Sequence, residues 1–192
     1  MTGTALKEFS LYANAMDAPH KADPATYAML RRHALETRLP RIPPRAIQTV
    51  IMDFHVDHGT ATVVASVDGS ASLYLSSGGG FLGGSQHYPS IRDAALHAVS
   101  LATTMQCHFE PTENSALPPL GDVTFYVTSG AGIRIAVASQ ARLRAAADPL
   151  AGLGGAMQKI VTEYRFHLPK RPPSPVPPPV ESAHESPEPS AL

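Results

Sequence analysis

From Ile47 the hydrophobic period of the chain is two, and it stays two through Leu75. Val50, Met52, Phe54 and Val56 alternate with Thr49, Ile51, Asp53 and His55. A two-residue period sends successive side chains to opposite faces, which a sheet can use and a helix cannot. Ile51 lies in the second set, so both faces of this first strand are expected to be at least partly covered. Asp57-His58-Gly59 makes a turn, and Ala61, Val63, Ala65 and Val67 then alternate with Thr62, Val64 and Ser66. Asp68-Gly69 is a hairpin signal. A two-residue loop there would pair Ala65 with Ser72 and Val63 with Tyr74, mixing apolar and polar residues on one face. A three-residue loop with Gly69 left-handed pairs Ala65 with Ala71, Val63 with Leu73, Ala61 with Leu75 and Thr62 with Tyr74. The second register sorts the faces and is the one expected.

Helical spacing brackets this meander. Asp23-Pro24 is a helix start, and Tyr27, Leu30, Ala34 and Leu35 follow at helical intervals until Pro40. Downstream, Ser90 and Asp93 read as a capping box, opening a helix over about 91–105 on Ile91, Ala94, Ala95, Ala98, Leu101, Ala102 and Met105. A loop over 108–121 leads to a hairpin, Val123-Phe125-Val127 and Ile133-Ile135-Val137, turned by Ser129–Gly132. A short helix at about 140–147, a glycine-rich joint over 150–155 and a last helix marked by Met157, Ile160, Val161 and Tyr164 complete the order. The expected fold is α+β: a mostly antiparallel five-stranded sheet (three-strand meander, helix, hairpin) with helices packed on it. Val64, Tyr74 and Tyr126 fall on the face opposite the main core. Left exposed they form an apolar patch, so a homodimer is expected.

Residues 1–22 show no strong period and are expected to be a flexible segment before a single domain at 23–168. Residues 169–192 hold nine of the 19 prolines. Such a tail buries too little apolar surface to pack and reads as disordered. Pro172, Pro175 and Pro178 give the P-x-x-P spacing that aromatic grooves read, so the tail is a candidate surface for a protein partner, or simply a solubilising linker. Net charge is −1, from 15 basic and 16 acidic residues, which offers no electrostatic footprint for nucleic acid or an anionic membrane. No apolar run reaches spanning length. Cys107 is the one cysteine, which excludes an internal disulfide and fits a cytoplasmic setting. Beside apolar residues it reads as buried filler.

The glycine run stands out among candidate sites. Five glycines (Gly78, Gly79, Gly80, Gly83, Gly84) fall within 78–84, between a strand and a helix. Gly78-x-Gly80-x-x-Gly83 copies the dinucleotide pattern formally, but its last glycine does not open a helix, and no Lys-Ser or Lys-Thr pair follows as a P-loop requires. No cofactor signature is complete. The run is expected to hold positive φ values at Gly78, Gly79 or Gly80, either to turn a corner or to let a ligand or partner approach, with Ser76, Ser77 and His87 at its rim. Asp53, His55, Asp57 and His58 partly copy the H-x-H-x-D-H zinc spacing of metallo-β-lactamase-like hydrolases. Polar groups at the end of an exposed strand are the plainer reading. Ser76 or Ser77 with His87 and Asp93 supplies the residue types of a hydrolase triad, without the G-x-S-x-G elbow.

The stretch SLYLSSGGGFLGG, with ATVVASVDGSAS before it and a helix after, resembles a family of uncharacterised bacterial proteins that share a D-G-T/S-x-S-L-Y-x-S-S/T-G-G-G segment. The resemblance spans about 47–166 and implies a shared fold in a bacterial cytoplasm. It transfers no activity and no catalytic residue. At the level of layers alone, the element order is similar to profilin-like and roadblock-like folds. These readings together give a non-enzymatic binding or scaffold module with the glycine loop near its working surface. The alternative is a small metal-dependent or serine-type hydrolase using His55, Asp57 and His58, or Ser77 and His87.

Overall fold

The alternating segment forms a meander in the expected register. In the computed structural model, which describes residues 24–39 and 41–167, β1 (Thr49–Val56) pairs with β2 (Gly59–Ser66), and β2 with β3 (Ala71–Leu75). Ala65 lies opposite Ala71, Val63 opposite Leu73 and Ala61 opposite Leu75. Gly69 takes φ 82°, and the Ser66 amide donates to the Ser70 carbonyl, so the turn is the bulged one. The expected N-terminal segment at 1–22 and the proline-rich tail at 169–192 lie outside the described residues.

The sheet is antiparallel and has seven strands rather than five. After β3 the chain turns on Gly78 and Gly79 and pairs back as β4 (Gly80–Leu82). The supposed loop at 108–121 begins with a 3-10 turn, Gln106–His108, and gives β5 (Glu110–Pro111) on the far edge. Both additions are too short to show a period in sequence. β6 (Asp122–Ser129) and β7 (Gly132–Ser139) form the expected hairpin, and the strand order is β4-β3-β2-β1-β6-β7-β5.

Four helices cover this sheet among the described residues. α1 is Pro24–Glu36, α2 Pro89–Thr104, α3 Gln140–Arg144 and α4 Ala151–His167. One face carries Val50, Met52, Phe54, Ala61, Val63, Leu73, Phe125 and Val127, buried against Ile91, Ala95 and Ala98 of α2 and Leu153, Met157 and Ile160 of α4. The expected glycine joint at 150–155 is helix from Ala151 onward. Gly154 faces Phe125 and Leu143, where a Cβ would stand 3.6 Å from the Phe125 ring, an ordinary contact that an alanine could also make. The capping box does not form. Pro89 already occupies the first turn, Tyr88 is the N-cap, and the Ser90 hydroxyl sits 3.0 Å from His167 Nε2 on α4.

The opposite face is not left open, as the sequence suggested, but is covered by α1. Tyr27, Ala34 and Leu35 pack on Ile51, Val64, Tyr74 and Tyr126, and Tyr126 is 0% exposed. The patch that motivated a homodimer is therefore interior. No helix among the described residues is long and apolar enough to cross a membrane.

Candidate functional site

Two groups of nominated residues end up at different places in the sheet. The glycine run builds the β3–β4 hairpin at one edge. All five of its glycines have positive φ. The Gly78 amide donates to the Leu75 carbonyl at 3.0 Å and the Leu75 amide to the Gly79 carbonyl at 3.2 Å, closing the turn. Gly80 is fixed by contact: a Cβ there would lie 2.4 Å from the Leu73 carbonyl oxygen. Gly83, by contrast, has nothing within 4 Å of its Cβ position. Tyr164 of α4 holds the loop from below. Its ring stacks on Phe81, with centroids 5.4 Å apart, and its hydroxyl lies against the carbonyls of Ala71 (2.7 Å) and Gly83. Burial raises the Tyr164 phenol well above the ordinary tyrosine range.

Among the described residues no hydrogen bond joins Ser76, Ser77, His87 and Asp93 to one another. Ser76 pairs with β2: its amide donates to the Thr60 carbonyl at 2.9 Å, and its Oγ accepts the Thr60 amide at 2.8 Å. Its Oγ also fills the space that Gly59 leaves, 2.2 Å from where a Cβ would be. Ser77 is half-buried beside it. His87 is exposed in the turn before α2, with its amide on the Gly84 carbonyl, and Asp93 is exposed on α2. Cys107, read from sequence as buried filler, is exposed, because the 3-10 turn carries it clear of α2.

The second group centres on Asp53, in the middle strand and 0% exposed. Arg31 of α1 donates to Asp53 Oδ2 from Nε at 2.8 Å and from Nη2 at 2.6 Å. Thr62 Oγ1 donates to Asp53 Oδ1 at 2.5 Å. A hydroxyl has a single proton, so the Tyr27 hydroxyl, 2.9 Å from Thr62 Oγ1, is the donor in its bond to Thr62. Arg31 also reaches the Ser115 carbonyl at 2.6 Å, Tyr126 OH donates to the Ala116 carbonyl at 2.7 Å, and His55 Nε2 donates to the Pro118 carbonyl at 2.8 Å. The segment 115–118 is thereby tied over the end of this face. Burial pushes the Asp53 carboxyl up, and Arg31 and Thr62 pull it back without cancelling that rise. Burial pushes the Tyr27 phenol up to about 12.

The zinc-like spacing is thus dispersed. Asp53 is spent on Arg31, His55 on a carbonyl, and Asp57 and His58 form the exposed turn between β1 and β2. No group of three or more His, Cys, Asp or Glu comes together among the described residues. The sequence reading overlooked Arg31. Its signal was present: Arg31 interrupts the buried α1 stripe of Tyr27, Ala34 and Leu35, and Asp53 interrupts the inward set of a central strand. Two opposite charges, each in an apolar register, point to one another.

No family model, curated protein or solved structure matches the chain.

Proposed function

We propose that this protein is a non-enzymatic binding or scaffold module whose working surface is the β4 edge with the glycine run at 78–84. The observation that carries this is the contrast between the two sheet edges. At the far edge Glu110 and Pro111 pair with Ile135 and Arg134 of β7, and a charge and a proline there are devices that stop strand addition over that stretch. The β4 edge has neither. From Gly69 to Gln86 there is no charged residue and no proline, and Leu82 is 66% exposed on the outermost strand. Such an edge offers free backbone donors and acceptors to an added strand.

The occupant we assign is a second copy of the chain, giving an isologous homodimer through antiparallel β4 pairing. A hydrolase has no comparable observation behind it, since His55 is engaged with the Pro118 carbonyl and no group of three or more His, Cys, Asp or Glu gathers among the described residues. A cytoplasmic setting rests on the single cysteine and on the bacterial resemblance. Light scattering on the full chain at micromolar concentration tests the assembly. Wild type should have a dimer mass, and Leu82→Lys a monomer mass with an unchanged melting temperature. A monomeric wild type, or a dimer indifferent to Leu82→Lys, would overturn the reading.

A further inference from the structure

Remote from β4, a cavity of about 150 Å³ opens where the β6–β7 hairpin meets the segment before β1. Its lining combines Arg45, Arg134 and Gln106 with the apolar side chains of Ile47 and Val127. The wall is well built. The Ala131 amide donates to the Pro44 carbonyl at 2.9 Å, and a Cβ on Gly130 would stand 2.8 Å from Pro44 Cα, so hairpin and segment touch backbone to backbone.

The charges in this cavity are unbalanced. Among the described residues neither Arg45 nor Arg134 forms an ion pair, and the cavity lining holds no Asp or Glu to balance them. Arg134 donates through Nη2 to the Phe109 carbonyl, which fixes the guanidinium. Its Nε–H is buried and has no acceptor. Buried donors are normally satisfied, so this guanidinium is short of acceptors, and its Nε–H, closed to solvent here, reaches one only if the side chain adjusts toward the cavity. Two guanidinium groups on one cavity also repel until an anion lies between them.

We infer that this cavity binds a phosphoryl dianion, held by Arg134 and Arg45 with Gln106 as a further donor. The planar fork of arginine matches the oxygens of such a group, and Arg134 comes already oriented. Arg45 is exposed at the mouth, so the phosphoryl group can belong to free phosphate or to a monoester whose remainder stays outside.

Calorimetric titration of the full chain with inorganic phosphate, and separately with glycerol 3-phosphate, tests this against sodium chloride at matched ionic strength. Saturable binding of either probe is expected. Arg45→Gln should weaken it about tenfold, the value of one charge-assisted contact. Arg134→Lys keeps the charge and loses the fork, and should weaken binding further. Arg134 also supports Phe109, so its variant can lose fold as well. Arg45 is exposed, and Arg45→Gln with an unchanged melting temperature keeps the outcome interpretable. Binding of free phosphate assigns the site to the ion, and binding of the ester alone assigns it to a larger ligand; either supports the inference. Heats that match sodium chloride, or binding that Arg45→Gln leaves unchanged, would overturn it. The β4 dimer is read by mass and this site by anion binding, so either can fail alone.

Discussion

The two faces of the sheet are held by different physics. On the α2–α4 face almost every contact is apolar, from Val50, Met52 and Phe54 to Leu153, Met157 and Ile160. Its stability comes from area, which is non-directional and spread over many residues. On the α1 face one helix does the covering, and the centre of the face is polar. Tyr74, Thr62, Asp53 and Thr124 lie side by side across β3, β2, β1 and β6. There the helix is positioned by a few directional bonds among Tyr27, Thr62, Asp53 and Arg31. A face built on area should absorb small changes, and a face built on one ion pair should fail at a single atom.

The largest expected effect follows from that difference. Asp53→Ala leaves the Arg31 guanidinium buried without its carboxylate, and breaking such a pair from one side costs about 3–5 kcal/mol. Urea denaturation should show this as a lower midpoint. Replacing both partners, Arg31→Met with Asp53→Leu, removes the stranded charge and should recover most of the loss. If Asp53→Ala alone costs under about 1 kcal/mol, the ion pair does not hold α1, and the contrast between the faces collapses.

The same contrast explains what could be read in advance. The meander and its bulged register were legible because long two-residue alternation leaves one register that sorts both faces. β4 and β5 were not, because three and two residues carry no period. The cover over Val64, Tyr74 and Tyr126 was half legible. The α1 stripe was visible, but nothing local says which face a helix will cover. Asp53 was noticed for its neighbours His55 and Asp57, whereas its partner lies 22 residues earlier on another element. Pairing across elements is set by topology, and local spacing misled. The glycine run was legible in its backbone, since all five residues take positive φ. What it meets was not, because Tyr164 arrives from the last helix.

On the apolar face the expected effect is smaller. Ile160 is 0% exposed and sits among other aliphatic side chains of α4 and the sheet. Ile160→Val removes one methylene and leaves a small void, at a cost of about 1 kcal/mol. A loss near that of Asp53→Ala would mean that this core is as exacting as the ion pair, and the distinction drawn above would be wrong.

The smallest effect at neutral pH, and the one that best isolates the directional face, concerns the Tyr27 hydroxyl. Tyr27→Phe removes one donor to Thr62 and keeps the ring packed, so the loss should be about 0.5 kcal/mol, the low end for a single hydrogen bond. Its pH dependence is more telling. Burial raises the phenol from 10.0 to about 12, so the folded state favours the protonated form more than the unfolded chain does. That contribution is fully present below pH 10 and is lost as pH rises through about 12. Beyond burial, ionisation would set a second anion beside Asp53, which adds to the upward shift, while the contact with Thr62 and the Arg31 charge pull the other way. Tyr74, Tyr126 and Tyr164 are also raised by burial, so wild type and variant will both weaken in alkali. The gap between them carries the test. Melting temperatures followed from pH 8 to 12 should converge, with Tyr27→Phe less stable at neutral pH and losing less above pH 10. Parallel curves would show that Tyr27 titrates alike in the folded and unfolded chain, and that its bond to Thr62 does not act as a neutral donor holding α1 to the sheet.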